Sequence, residues 1–163
     1  MTRSQLVRAA LYLLLAWVVL SVITLLWGGH LLAAMSPWLT GVLQMLLPGF
    51  DIQLAIVTVD HERQLQIAAR AQQTMVLAAD VSLSPGATIR TGTSIGHAMI
   101  PVVLSGALLL AWPCVRSGTR ILRAQLALVL SITMVAVTTP LLLAGKVQLF
   151  LVELAAQQGV SLA

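Results

Sequence analysis

The sequence predicts an α+β integral membrane protein with three transmembrane helices, one short interfacial helix and a small antiparallel β-sheet of three to four strands on the extracytoplasmic side. Three observations lead to this fold class. Hydrophobic residues make up 59% of the 163-residue chain and charged residues 9%, whereas roughly a quarter of the residues of soluble domains are charged. Three apolar runs are long enough to cross a bilayer. Between the first two, the period changes from helical to alternating.

The first predicted element is a transmembrane anchor within residues 1–30. Arg3 and Arg8 precede an uncharged stretch that reaches Trp27, and an indole ring is favoured at a membrane interface. The stretch is longer than the h-region of about 7–15 residues in a cleaved signal peptide. We therefore expect a retained signal anchor.

A short interfacial helix is predicted within residues 31–49. Ser36 and Pro37 form a typical helix start, and Pro48 with Gly49 ends the apolar stretch. A stretch this short cannot span about 30 Å of hydrocarbon, so we expect it to lie in the outer interface.

Residues 50–93 are predicted to form an extracytoplasmic β-module. Ile52, Leu54 and Ile56 alternate with other residues, a polar turn follows at residues 60–63, and residues 64–70 alternate again, which is typical of a hairpin. Residues 75–83 form a third candidate strand and residues 88–90 a short fourth. Such a sheet needs a cover, and the helix at residues 37–47 is the nearest one in the sequence.

A transmembrane helical hairpin is predicted over residues 94–145. One span ends near Trp112, the basic loop 114–123 follows, and the last span runs from about 124 to 143, with Pro140 bending it near its end. Residues 146–163 are predicted to form an amphipathic extracytoplasmic tail.

The distribution of charge predicts the orientation in the membrane. The N-terminal segment and the basic loop together carry five arginines and no acid, whereas the β-module and tail carry all five acids and four basic residues. Short loops rich in Lys and Arg stay in the cytoplasm. The N-terminus is therefore expected inside and the C-terminus outside. A four-span alternative would place the three-arginine loop outside, against this rule.

The sequence favours no catalytic residue, cofactor or metal site. Proton relays and pumps require an ionisable residue in the middle of a span, and no predicted span has one. Cys114 and His97 bracket a span and would lie roughly 25 Å apart along a helix, too far for a Cys–His pair. The spacing of His30, His61 and His97 gives no reason to expect a metal site. The few scattered basic residues favour contact with anionic lipids over nucleic acid.

Two groups of residues are predicted to make contacts. The first group lies where a predicted helix begins, and its members are Arg90, Thr93, Ser94 and His97. Free backbone N–H groups at a helix start favour binding of an anion or of a partner's carboxylate. Helix capping and contact with lipid head groups also explain these residues. The second is a set of small side chains that would let a neighbouring helix approach closely; its members are Ser105, Gly106, Ala107 and Ala111.

The predicted sheet has a weakly charged second face, rich in alanine and glutamine. Such a face suits contact with another protein, including addition of a strand at an exposed edge.

The order of these parts resembles the small bacterial membrane proteins associated with exosortases, particularly those of type H. The matching features are the N-terminal anchor, the interfacial stretch from Ser36 to Phe50, the β-rich insert ending at Pro85, and two closing spans. The resemblance implies an accessory protein of the inner membrane beside a sorting peptidase. The catalytic Cys, Arg and His would then belong to the partner.

The sequence therefore favours a non-enzymatic accessory or scaffold subunit of a bacterial inner-membrane assembly for protein sorting, secretion or envelope work, in a hetero-oligomer with other membrane protein subunits. An oligomeric transport or channel component is the alternative, with Ser131, Thr138 and Thr139 lining the pore. A membrane hydrolase comes third, with His97 as its best candidate residue.

Overall fold

The computed structural model describes residues 3–59, 61–78, 81–111 and 117–160. The elements are, in chain order, α1 (Arg3–Leu46), β1 (Phe50–Val59), β2 (Glu62–Ala71), β3 (Met75–Ala78), β4 (Val81–Leu83), β5 (Thr88–Ser94), α2 (Ile95–Ala111) and α3 (Ser117–Val160). The chain divides into two compact units. The first comprises residues 1–31 and 95–137, and the second comprises residues 32–94 and 138–163.

Among the described residues, two helices and not three are long and apolar enough to cross a membrane. They are Val7–Leu46 within α1 and Ile121–Ala156 within α3, and by length and composition they indicate membrane association. The third predicted span is wrong, because β5 continues to Ser94 and α2 contains only 17 residues, fewer than the roughly 20 of a typical span. The predicted end at Trp112, and residues 114–116 of the basic loop, lie outside the described part of the chain.

The separate interfacial helix is also wrong, because α1 is continuous for 44 residues through Gly28, Gly29 and Pro37. Pro37 cannot donate a backbone hydrogen bond to the carbonyl group of Ala33. Beyond the proline, Thr40 Oγ1 donates to the carbonyl oxygen of Ser36 at 2.8 Å. Leu32, Leu39 and Leu43 are fully buried and lie on one face of the helix at spacings of seven and four residues. This packing supports the helix across its sequence breakers.

A similar continuity is seen in α3. The helix runs for 44 residues through Pro140, so the predicted tail is its last part as far as Val160. Residues 161–163 lie outside the described residues. Thr139, Leu143 and Val147 are buried at four-residue spacing, so packing on one face again carries the helix past the proline.

The predicted β1–β2 hairpin is confirmed. The two strands pair antiparallel from Phe50 opposite Ala71 to Val59 opposite Glu62. Only two residues join them; His61 has a φ of 65°, and Asp60 lies outside the described residues. A tight two-residue connection is typical of neighbouring antiparallel strands.

The rest of the sheet differs from the prediction. β5 is longer than predicted and pairs with the other side of β2, which gives the order β1-β2-β5. The single strand predicted at residues 75–83 is instead a second, two-stranded sheet of β3 and β4; residues 79 and 80 between them are not described.

One face of the three-stranded sheet forms the core of the second unit. Ile52 of β1, Leu65 and Ile67 of β2, and Ile89 of β5 are each no more than 3% exposed. Within the same unit, Leu39 and Leu43 of the predicted cover at residues 37–47 are fully buried. α3 also reaches the sheet, through the bond of Lys146 to β5.

Candidate interaction surfaces

The small residues of α2 lie at helix contacts within the first unit. Gly106 is buried, and a Cβ placed there would lie 2.9 Å from Cδ1 of Leu20 on α1. The hydroxyls of Ser105 and Ser131 lie 3.3 Å apart, which joins α2 to α3. Ala107 is buried and Ala111 is half-buried. The absence of large side chains thus allows close approach of the helices.

The hydroxyl groups considered for a pore are not presented on an open surface. Ser131 is 6% exposed and Thr139 is 1% exposed, while Thr138 is half-buried and engaged in a contact. Thr139 Oγ1 is buried and has no hydrogen-bond partner among the described residues. A pore lined by these groups would require the surrounding packing to open.

The predicted contact group around β5 is divided between two faces of the sheet. Arg90 is exposed on the outer face, opposite Ala68, whereas Thr93 is opposite Leu65 and only 4% exposed on the inner face. Residues an odd number apart in a strand point to opposite faces. Ser94 ends β5 and His97 is exposed in the first turn of α2; both side chains have contacts.

Lys146 is a functional candidate that the sequence analysis did not single out. Its ammonium group donates a hydrogen bond of 2.6 Å to the carbonyl oxygen of Gly92 on β5, within the second unit. β5 is an edge strand of the sheet, and a charged side chain on an edge strand hinders the addition of another strand. The sequence contained a signal, because this is the only lysine of the chain and it interrupts an apolar helix.

The opposite edge of the sheet is formed by β1, which carries little charge and has no side chain of another element bonded to it among the contacts described above. Its ten residues contain one charged residue, Asp51, and no proline, and it pairs with β2 alone. Ile56 and Val57 are each 37% exposed near its end. Edge strands usually avoid unwanted pairing through lysine, proline or bulges, and the described part of β1 has none of these features.

The outer face of the sheet is polar but weakly charged along its middle. Gln53, Gln64 and Gln66 lie there with Ala55 and Ala68 between them, all exposed or half-buried. Charges occur towards its ends. The predicted face is met only in part, because Ala69 and Ala71, also assigned to it, are buried on the inner face. The glutamine amides supply the outer face with both hydrogen-bond donors and acceptors.

The described residues contain no group of three or more His, Cys, Asp or Glu side chains that could hold a metal ion. His30 lies beside Trp27 with ring centroids 6.3 Å apart, and His61 occupies the β1–β2 turn. Cys114 lies outside the described residues.

No family model, curated protein or solved structure matches this chain.

Proposed function

We propose that this protein is a non-enzymatic accessory subunit of a bacterial inner-membrane assembly and that it docks a partner through the edge of β1. The observation that carries the proposal is the contrast between the two edges of one sheet. Lys146 occupies the β5 edge, whereas the β1 edge is long, nearly uncharged and paired on one side only. An extended segment of a partner would complete the backbone hydrogen bonds there.

The partner segment would extend the existing sheet. The partner's side chains that lie beside Ile52, Leu54 and Ile56 would be on the inner face of the sheet. They should be apolar, because this face continues the core. Side chains beside Gln53 and Ala55 would lie on the outer face and should be polar. The partner is therefore a protein with an alternating, uncharged extended segment near the membrane.

The proposed orientation places the sheet on the extracytoplasmic side. Arg3 and Arg8 precede the apolar part of α1, and positive charge beside a first span favours the cytoplasm. The proposal puts the C-terminal part of α3 on the same side as the sheet, and it is supported by the bond of Lys146 to β5 within one unit. The resemblance to exosortase-associated proteins would make the partner a sorting peptidase, with no catalytic residue in this chain.

Co-purification after gentle detergent extraction tests this proposal. The wild-type chain is compared with Val57→Lys on the β1 edge and with Val76→Lys, a matched control at an exposed valine of β3. We expect the control to retain the partner and the edge variant to lose it. A wild-type chain that purifies alone, or a partner retained equally by both variants, would contradict the proposal. Thermal unfolding of both variants verifies that they fold.

A further inference from the structure

A cleft of about 430 Å³ opens at the end of the sheet where β1 begins. It lies within the second unit, and its lining residues come from the start of β1, the end of β2 and the turn before β5: Asp51, Arg70, Ala71, Gln72, Pro85 and Gly86. Its volume is within the usual range of small-molecule sites, about 300–1,000 Å³.

Backbone hydrogen bonds hold the walls of the cleft together. Gly86 donates to the carbonyl oxygen of Ala71 at 2.8 Å, and Ala71 donates to that of Ala87 at 2.9 Å. Gln72 donates to the carbonyl oxygen of Gly49, also at 2.9 Å. The cleft is therefore formed before any ligand enters, and a preformed site loses less conformational entropy on binding.

Two opposite charges line the cleft without neutralising each other. Asp51 and Arg70 are directly opposite in the register of β1 and β2. Neither has an ion-pair or hydrogen-bond partner within the described ranges of the chain. The guanidinium group instead lies along the turn, where a Cβ on Gly86 would be 3.6 Å from Nη2 of Arg70.

The surroundings of Arg70 favour an anionic group at that end. Arg90 is diagonal to Arg70 on the same outer face, because Arg70 is opposite Thr88 and Ala68 is opposite Arg90. Diagonal neighbours of this kind are roughly 7–8 Å apart, so the two cations reinforce each other's potential. The Gln72 amide adds a donor and an acceptor.

We propose that this cleft binds a small soluble zwitterion, with a carboxylate of the amino-acid or short-peptide type on Arg70 and its ammonium group on Asp51. A guanidinium group pairs with a carboxylate through two parallel hydrogen bonds, and an ionised aspartate accepts the protons of an ammonium group. A zwitterionic lipid head group carries a similar pair of charges, and the experiment below distinguishes the dissolved ligand from the lipid.

An NMR titration of the ¹⁵N-labelled full-length chain in detergent micelles tests the proposal. The probes are glycine, diglycine and triglycine, which separate the two charges progressively, together with acetate and ethylamine as half-ligands. We expect one zwitterion to shift the Ala71 and Gly86 amides and to bind at least about tenfold tighter than either half-ligand.

Matched variants test whether Arg70 and Asp51 bind the two charged groups of the ligand. Arg70→Gln and Asp51→Asn should each weaken binding by about tenfold or more, whereas Arg63→Gln at the other end of β2 should leave it unchanged. Equal binding of acetate or ethylamine, unchanged affinity in both cleft variants, or no zwitterion binding would overturn the proposal. Displacement of the zwitterion by vesicles with phosphatidylethanolamine, but not phosphatidylcholine, would assign the site to lipid and overturn it as well.

Discussion

His61 shows how one residue shapes the hairpin that forms the β1 edge. Its φ of 65° lies in the left-handed region, which is unfavourable for residues with a Cβ and most unfavourable for branched side chains. The strands on either side pair from Val59 and Glu62 onwards, so the short connection forces this conformation.

We predict that His61→Val lowers the free energy of unfolding by about 1–2 kcal/mol, because a β-branched side chain is strained in this region. His61→Gly should cause no loss, since glycine adopts a positive φ readily. Thermal unfolding in detergent measures both variants. Equal destabilisation by valine and glycine would show that the imidazole, not the backbone, matters at this position.

Gly106 is the second position at which one residue determines a contact. A Cβ there would approach Leu20 to 2.9 Å, closer than carbon atoms normally come. We predict that Gly106→Val destabilises the first unit by about 1 kcal/mol through overpacking, the lower end of the usual range, because the contacted methyl group of Leu20 is the end of a flexible side chain; thermal unfolding measures the loss.

Gly41 provides the control for this substitution. It is also helical, but a Cβ there would meet nothing within 4 Å. Gly41→Val should therefore be nearly neutral. Valine has a higher helix propensity than glycine, so a loss of stability as large as that of Gly106→Val would mean that the branched side chain itself, and not the contact with Leu20, explains the result.

At the scale of elements, Lys146 joins α3 to the edge of the sheet through its bond to Gly92. We predict that Lys146→Met destabilises the second unit by about 1–3 kcal/mol, because the carbonyl group of Gly92 loses its charged donor. Amide hydrogen exchange of β5 should then become faster, while the amides of β1 change little.

Lys146→Arg provides the matched variant, since it keeps a cationic donor. It should retain most of the protection of β5. If the methionine and arginine variants exchange equally fast, the bond to Gly92 does not stabilise this edge. Slow modification of Lys146, the only lysine, by an amine-reactive reagent would provide independent support for its contact, when the peptide that contains it is read by mass spectrometry.

At the scale of the whole molecule, the charge distribution makes a prediction about orientation. A reporter inserted at residue 70 should report the extracytoplasmic side, because Arg3 and Arg8 precede the first apolar stretch. Replacing both arginines with glutamate should shift part of the population to the opposite orientation. A reporter that faces the cytoplasm in the wild-type protein would refute the orientation and the proposed docking side.

The sequence was a good guide wherever a local pattern decides the structure. Alternation of Ile52, Leu54 and Ile56 with polar or small residues predicted β1 and its pairing with β2, because the two faces of a strand differ in environment. The small residues around Gly106 predicted a close helix contact, since their short side chains leave room for a neighbour. Low charge and long apolar runs predicted apolar helices at the first and last runs, but they did not predict the 44-residue length of these helices, and the third predicted span was wrong.

Local patterns failed where packing overrides local preference. Pro37 and Pro140 are strong helix breakers, yet both lie inside 44-residue helices, because residues on one face of the helix are buried on either side of each proline. The predicted contact group was divided because β5 extends to Ser94, which places Arg90 and Thr93 on opposite faces.

The sequence by itself determined the apolar character of the chain, the segregation of its charges and the strand alternation, since all three depend on residue type and spacing alone. Tertiary structure decided which sheet edge stays open and which residues share the cleft. Lys146 reaches Gly92, and Arg70 stands opposite Asp51, only after distant segments pack together. Contacts between residues far apart in the chain depend on this packing, which no local pattern encodes.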